Sequence, residues 1–236
     1  MLLFYTDDID GQRAVFSGQE AVHIGKVLRM KSGDRLQWTD GKGMMYSGAL
    51  LSVGKREAVA VVERTTPWQK TWKRDIHIAV CPTKNIQRTE WMIEKLCEMG
   101  VDSITPVIAQ NSERRTVKTE KLRRKIISAC TQSLKGQFPT LHEPLPLQAY
   151  LSAQRDTSDA FIAHCRGTLP PLARKPLSGD TLHILIGPEG DFTTQEIKDA
   201  VERGWQPVGL GLSRLRTETA ALVACQTFHI IETIGR

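Results

Sequence analysis

The chain offers no pairing scheme for its cysteines. Cys81, Cys97, Cys130, Cys165 and Cys225 are odd in number, widely spread and free of any Cys-x-x-Cys pair, which argues against a disulfide framework and against a structural zinc site. The six histidines form no His-Glu-x-x-His pattern, so no metal is expected. Apolar runs such as residues 220–225 are far shorter than a membrane span needs. The first residues carry no basic region and reach Asp7 and Asp8 early, so a signal peptide is not expected and a cytoplasmic location is. Internal repeats and low-complexity segments are also missing, as are the Gly-Lys-Ser/Thr ending of a nucleotide-binding loop and the Gly-x-Gly-x-x-Gly of dinucleotide folds.

What remains is an ordinary globular composition, 40% hydrophobic and 25% charged, with a net charge of +6 that is unevenly placed. Residues 1–72 hold 10 basic and 8 acidic side chains, residues 73–150 hold 13 and 8, and residues 151–236 hold 9 and 10. The excess lies in the middle, concentrated between Arg114 and Lys135. Such a stripe suits a polyanionic partner, nucleic acid first, although a solvated surface has the same composition.

Two regions differ in period. Up to about residue 66, segments 1–5, 35–39, 44–51 and 57–63 read as short strands, with a hairpin at Asp40-Gly41-Lys42-Gly43 and a short helix over 20–30. This part predicts a small β-barrel at residues 1–68. Residues 65–74 read as a linker. Residues 73–236 then alternate: strands at 76–80, 104–108, 160–163, 182–186 and 207–210, and helices at 88–99, 119–134, 193–204 and 218–232. Thr193 and Glu196 fit a capping box. The last helix is apolar on nearly every side, which predicts burial against more than one sheet face. Alternation of this kind predicts an α/β domain with a parallel sheet.

Ligands of parallel sheets bind beyond the carboxyl ends of the strands. Three loops leave strands there: residues 164–168, 187–191 and 211–217. The second, Gly187-Pro188-Glu189-Gly190-Asp191, breaks a strand just before a capped helix; its glycines let backbone approach a ligand or simply make a sharp turn.

Ile186-Gly187-Pro188-Glu189-Gly190 with Phe192 and Glu196-Ile197, then Leu210-Gly211 and Arg214-Leu215-Arg216-Thr217-Glu218-Thr219-Ala220, resemble the two C-terminal motifs of the RsmE family of ribosomal RNA methyltransferases, within the SPOUT superfamily. His23 with Val27-Leu28-Arg29 and Gly33-Asp34 resembles its N-terminal motif. Glu94-Lys95, Glu98-Met99-Gly100-Val101 and Ser112-Glu113-Arg114 resemble its middle motifs. The match runs through nearly the whole chain in order. Two places depart from it: Asp191 stands where the family usually has a third glycine, and Thr131-Gln132-Ser133-Leu134-Lys135 replaces a common Glu-Gln-Ser-Gly-Arg.

The resemblance implies a PUA-like RNA-binding barrel before a SPOUT α/β domain tied in a deep trefoil knot, S-adenosyl-L-methionine as cofactor, a homodimer, and methylation of uridine N3 in 16S RNA of the small ribosomal subunit. On that reading Arg216, Glu218 and Glu189 are the candidates near the chemistry. Arg216 would stabilise charge on the uracil carbonyls, and one of the acids would orient it or accept the N3 proton. The bland reading of Thr217 and Glu218 is a helix cap, and that of Glu189 a loop carboxylate. Cofactor contacts are expected from His164, Ile186, Gly187, Pro188, Glu189, Gly190, Leu210, Gly211, Leu212, Leu215, Arg216 and Thr217. Phosphate contacts are expected from Arg29, Arg114, Arg115, Arg123, Arg124 and Lys135. Lys95, between Glu94 and Glu98, reads equally as an ion pair. The alternatives are a SPOUT enzyme acting on transfer RNA or another base, and a non-catalytic RNA-binding assembly factor.

Overall fold

The computed structural model describes residues 2–154 and 157–234, so Met1 of the expected first strand lies outside the described residues. The chain forms two compact units: Met1–Thr71 with Ile126–Phe138, and Trp72–Lys125 with Pro139–Arg236.

The smaller unit holds β1 (Phe4–Tyr5), β2 (Ile9–Asp10), β3 (Arg13–Ser17), α1 (Gly18–Val22), β4 (Arg35–Thr39), β5 (Met44–Val53) and β6 (Glu57–Pro67). They pair in the order β1-β4-β5-β6-β3-β2, antiparallel except at β1–β4. Thr6 connects β1 and β4 to β3: its N–H donates to the Thr39 carbonyl and its hydroxyl to that of Val15. The β5–β6 pair shifts register at Ser47/Gly48. A Cβ at Gly48 would lie 1.8 Å from the Val61 carbonyl oxygen, so only glycine fits that bulge. Phe4, Phe16, Ile24, Leu36, Trp38 and Leu50 fill the interior.

Three expectations need correction here. Residues 65–67, read as linker, continue β6 to Pro67, because Thr65, Thr66 and Pro67 pair with Tyr46, Met45 and Met44. The single helix expected at 20–30 is α1 followed by a π-helical turn at His23–Val27. Strands β2 and β3 were not anticipated; β2 is only two residues long and gives periodicity nothing to show. The hairpin at 40–43 is present, with Gly41 and Gly43 at φ 72° and 99°.

The larger unit contains β7 (Asp75–Val80), α2 (Ile86–Met99), β8 (Ser103–Ile108), β9 (Thr140–Leu141) and β10 (Leu145–Pro146) as an interrupted edge beside β8, α4 (Leu147–Ala153), β11 (Ala160–Ala163), β12 (Thr181–Ile186), α5 (Thr194–Glu202), β13 (Gln206–Val208) and α6 (Thr217–Ile234). Helix α3 (Thr119–Gln132) has residues in both units. Every strand pair is parallel, in the order β10-β8-β7-β12-β11-β13. Runs such as Leu182–Ile186 are wholly buried, as a sheet covered on both faces requires. Gly100, at φ 104°, ends α2, and the Thr193–Glu196 capping box opens α5. The helix expected to close at Gly136 instead ends before Leu134, which takes the left-handed conformation at φ 57°. Helix α6 buries Ala221, Ala224, Cys225 and Phe228 on one face and leaves Ile230 and Ile234 exposed. No helix among the described residues is long and apolar enough to cross a membrane, and none of their His, Cys, Asp and Glu side chains cluster to hold a metal.

Candidate active site

Strands β11, β12 and β13 lie side by side, so the loops leaving their carboxyl ends meet. The turn after β12 is clasped to both neighbours. Asp191 has φ 62°, a region that aspartate enters more readily than most residues, which accounts for a glycine preference at this position. Its carboxylate accepts from the Cys165 N–H at 3.0 Å and from the Phe192 N–H at 2.8 Å, tying the 164–168 loop to the 187–191 loop. On the other side the Thr217 hydroxyl donates to the Gly187 carbonyl at 3.0 Å. Arg166 donates to the Phe192 carbonyl and to Thr194, holding the start of α5.

The glycines of this turn serve the protein's own packing. A Cβ on Gly187 would sit 3.1 Å from the Phe192 ring, and one on Gly190 would sit 3.1 Å from Cβ of Asn111, whose amide donates to the carbonyls of Gly190 and Asp191. Open backbone is found instead in the two flanking loops, at Gly167 and Gly211, where nothing lies within 4 Å of a Cβ position. Gly211 has φ 130°, and Leu212 beside it is fully exposed. Ile186 and Pro188 are buried, Leu210 and Leu215 half-buried, and Glu189 and Gly190 exposed. His164 accepts from the Arg166 N–H through Nδ1, while its buried Nε2 has no partner. Burial pushes its pKa down, opposed by the Asp191 charge and assisted by that of Arg166.

Beside this turn, the amino ends of α2 and α6 flank an open cavity of about 420 Å³. Asn85, Arg88 and Trp91 line it from α2, and Arg216, Glu218 and Thr219 from α6. Asn85 caps α2 by accepting from the Gln87 N–H at 3.0 Å. Glu218 is 7% exposed. Its Oε1 is 3.6 Å from Arg88 Nη1, an ion pair too long for a hydrogen bond, and its Oε2 is buried with no partner. Arg216 and Trp91 are exposed, and Arg216 forms no ion pair among the described residues. Arg216 and Glu218 were anticipated. Arg88, Trp91 and Asn85 were not, because the 88–99 helix showed only its buried face as a pattern, and its polar face carries no local mark of a partner so distant in sequence.

Glu189, in the same turn, accepts from the Lys84 N–H at 2.9 Å, holding the segment after β7. That segment is also gripped by Arg114, which donates to the carbonyls of Thr83 and Lys84. Much of the basic stripe is likewise engaged. Arg115 donates to the Gln110 carbonyl, Arg123 pairs with Glu143 at 2.8 Å, and Arg124 lies 4.0 Å from Glu120. Lys125 pairs with Glu94, and Lys95 with both Glu94 and Glu98. Arg29 is exposed in the smaller unit with φ 55°, and Lys135 is half-buried there.

Comparison with known proteins agrees across the chain. Residues 70–229 match the model of an RNA methyltransferase domain, and residues 16–63 that of an RNA methyltransferase PUA domain. The ribosomal RNA small subunit methyltransferase E of Buchnera aphidicola is 28% identical over 94% of this chain and 90% of its own length. The crystal structure of a probable rRNA-methyltransferase from Porphyromonas gingivalis is 40% identical, covers 100% of both chains and superposes with a TM-score of 0.94. A ribosomal RNA small subunit methyltransferase E from Neisseria gonorrhoeae, solved bound to S-adenosyl methionine, is 26% identical over 98% of each chain, with a TM-score of 0.89.

Proposed function

Because the chain belongs to the RsmE-type family of RNA methyltransferases, we propose that it methylates N3 of a uridine in the 16S RNA of the small ribosomal subunit, with S-adenosyl-L-methionine as methyl donor. The observation that carries this reading is the buried Glu218 carboxylate, with one oxygen unpartnered, in a cavity that also takes two guanidinium groups.

The residues present fit the cofactor. An adenosyl group needs apolar surface and free backbone, and the open Gly211, the exposed Leu212 and the half-buried Leu210 and Leu215 provide them. His164, in the same loop cluster, has its pKa lowered by burial and an Nε2 without a partner. His164, Ile186, Gly187, Pro188, Glu189, Gly190, Leu210, Gly211, Leu212, Leu215, Arg216 and Thr217 would form the site. The cofactor supplies a methyl group already activated on a sulfonium, so the protein's task is positioning and proton removal. Arg216 would stabilise charge developing on the uracil carbonyls. Glu218 shares the cavity with Arg216 and has an oxygen without a partner, whereas Glu189 does not line it, so the proton acceptor assigned is Glu218.

Arg29, Arg115, Arg123, Arg124 and Lys135 would meet RNA phosphates, with Arg114 serving mainly to hold the segment after β7. The passage of β12 between β7 and β11, and the Thr217–Gly187 bond that pins the loop before α6 against it, support the trefoil knot implied by the motifs. The exposed Ile230 and Ile234 of α6 support a homodimer through that helix, and light scattering at micromolar concentration reading a monomer would refute it. The function itself is tested by incubating unmodified small subunits with the protein and S-adenosyl-L-methionine and mapping the product nucleotide by mass spectrometry. N3-methyluridine is expected; methylation of another base, or of transfer RNA alone, would overturn the assignment.

A further inference from the structure

The Watson–Crick edge of uracil presents an acceptor, a donor and an acceptor: O4, N3–H and O2. Its complement is donor, acceptor, donor. The cavity between the amino ends of α2 and α6 holds that set in Arg88, Glu218 and Arg216, with the exposed indole of Trp91 beside them. We propose that this cavity is the subsite for the target base, that Arg88 and Trp91 are base-contacting residues, and that the cavity selects uracil over cytosine. The proposal rests on the uridine reading above and adds the residues that recognise the base.

Glu218 is the centre of the argument. A carboxylate oxygen shut away from water without a donor is costly, and a native structure keeps one where a ligand completes it. Its other oxygen has the Arg88 contact at 3.6 Å, which is electrostatic and not a hydrogen bond. The last torsion of a glutamate is broad, so the carboxylate can turn an oxygen to the cavity at little cost. An incoming N3–H then supplies the missing donor. Arg88 and Arg216 carry only donors, so they can satisfy O4 and O2 and cannot compete for the proton. Cytosine would present an N3 lone pair to a carboxylate and an amino group to a guanidinium, two repulsive contacts where uracil makes two favourable ones. Trp91 offers a π-face on which a splayed-out base can stack, the usual way proteins hold an unpaired nucleotide.

The same arrangement gives the proton a destination. The N3 proton passes to the Glu218 carboxylate, N3 forms the new bond to the methyl carbon, and the sulfur–methyl bond breaks with its electron pair remaining on sulfur. Atoms and charge balance, and Glu218 later releases its proton to water. The two guanidiniums lower the energy of the uracil anion while the proton is in transit.

The test uses the intact protein and its own RNA substrate, prepared with uridine or with 5-fluorouridine, whose N3–H is more acidic. Glu218→Gln keeps shape and removes the acceptor; its single-turnover rate should fall about a hundredfold or more at neutral pH. The deficit should shrink as pH rises and shrink again on 5-fluorouridine RNA, since either change makes the base easier to deprotonate. Arg88→Ala should lower the rate without changing S-adenosyl-L-methionine affinity. Trp91→Ala should raise the KM for RNA, and Trp91→Phe should restore it. Melting curves matching the parent's will show that each variant folds. A Glu218→Gln deficit that is the same at every pH and on both RNAs would overturn the proton-acceptor role. Parental kinetics in both Arg88→Ala and Trp91→Ala would overturn the base subsite. Either failure is distinct from failure of the uridine assignment, in which the parent protein itself yields no N3-methyluridine.

Discussion

The two ends of α6 each bury a glutamate, and the two are treated in opposite ways. Near the carboxyl end, both oxygens of Glu232 are satisfied: they accept from the N–H groups of Lys73 and Arg74, and the Arg74 guanidinium lies 3.5 Å away. At the amino end, Glu218 has one distant cation and one oxygen with no partner. Both are over nine-tenths buried, at 6% and 7% exposure, so burial does not separate them. Hydrogen bonding does. A saturated carboxylate has nothing left to give a ligand and serves as a clasp; an unsaturated one retains both the cost of its burial and the capacity to bind a donor.

Removing each acid should therefore break different things. Glu232→Ala leaves two N–H groups without their acceptor and takes the counter-charge from Arg74, whose guanidinium keeps the Gly179 and Leu177 carbonyls, and about 2–3 kcal/mol of stability should be lost. Thermal or urea unfolding measures it; a variant as stable as the parent would show that the clasp contributes nothing. At the other end of the helix the effect should fall on rate. Arg216→Ala should lower the single-turnover rate by about 2–4 kcal/mol of transition-state stabilisation while leaving RNA affinity and the melting temperature largely intact. An unchanged rate with weakened RNA binding would make Arg216 a phosphate contact.

The smaller unit has an intermediate case in Glu20, a partly buried acid with one unpartnered oxygen. Burial raises its pKa from 4.5 to about 7, against a hydrogen bond from the Tyr5 backbone. A carboxyl whose folded pKa is raised contributes stability that is present below pH 4.5 and is lost as pH climbs through about 7. Glu20→Gln should remove that dependence and make the protein more stable than the parent above pH 7 by roughly 1–2 kcal/mol once solvent screening is allowed for. Unfolding midpoints at acid and alkaline pH check the sign, and parallel curves for both proteins would contradict it.

The smallest effect is expected on the basic stripe. Arg123 and Arg124 are partnered by Glu143 and Glu120, so the double change to alanine removes charge that is already part-neutralised. RNA affinity should fall modestly, the slope of log affinity against log salt should drop by less than about 2, and the saturated rate should hold. A full loss of rate at saturating RNA would place these arginines in the chemistry.

Much of this molecule was legible in the residues alone. The change from strand runs to alternating strands and helices near residue 70, the capping box at Thr193 and Glu196, Gly100 at the end of α2 and the three loops of the α/β part each depend on contacts within a few residues or on a period of one element. Local physics suffices to write them, and the motifs around residues 186–190 and 214–220 carried the family. What fails is what depends on distant neighbours. Residues 65–67 have a linker's composition and become strand only because residues 44–46 lie alongside. The glycines at 187 and 190 looked like room for a ligand, yet Phe192 and Asn111 take that space, and the open backbone is at Gly167 and Gly211. Charge counting marked residues 114–135 but could not show that Arg114 grips the carbonyls of Thr83 and Lys84. Nor could it bring Arg88 and Trp91 of one helix to Arg216 and Glu218 of another. Sequence determined the longer elements of the α/β part and the family, because those are set by local preference and by motif. Only the tertiary structure decided which buried carboxylate is saturated and which keeps an oxygen without a partner, because a hydrogen bond is satisfied by whatever the fold brings within about 3 Å, wherever it lies along the chain.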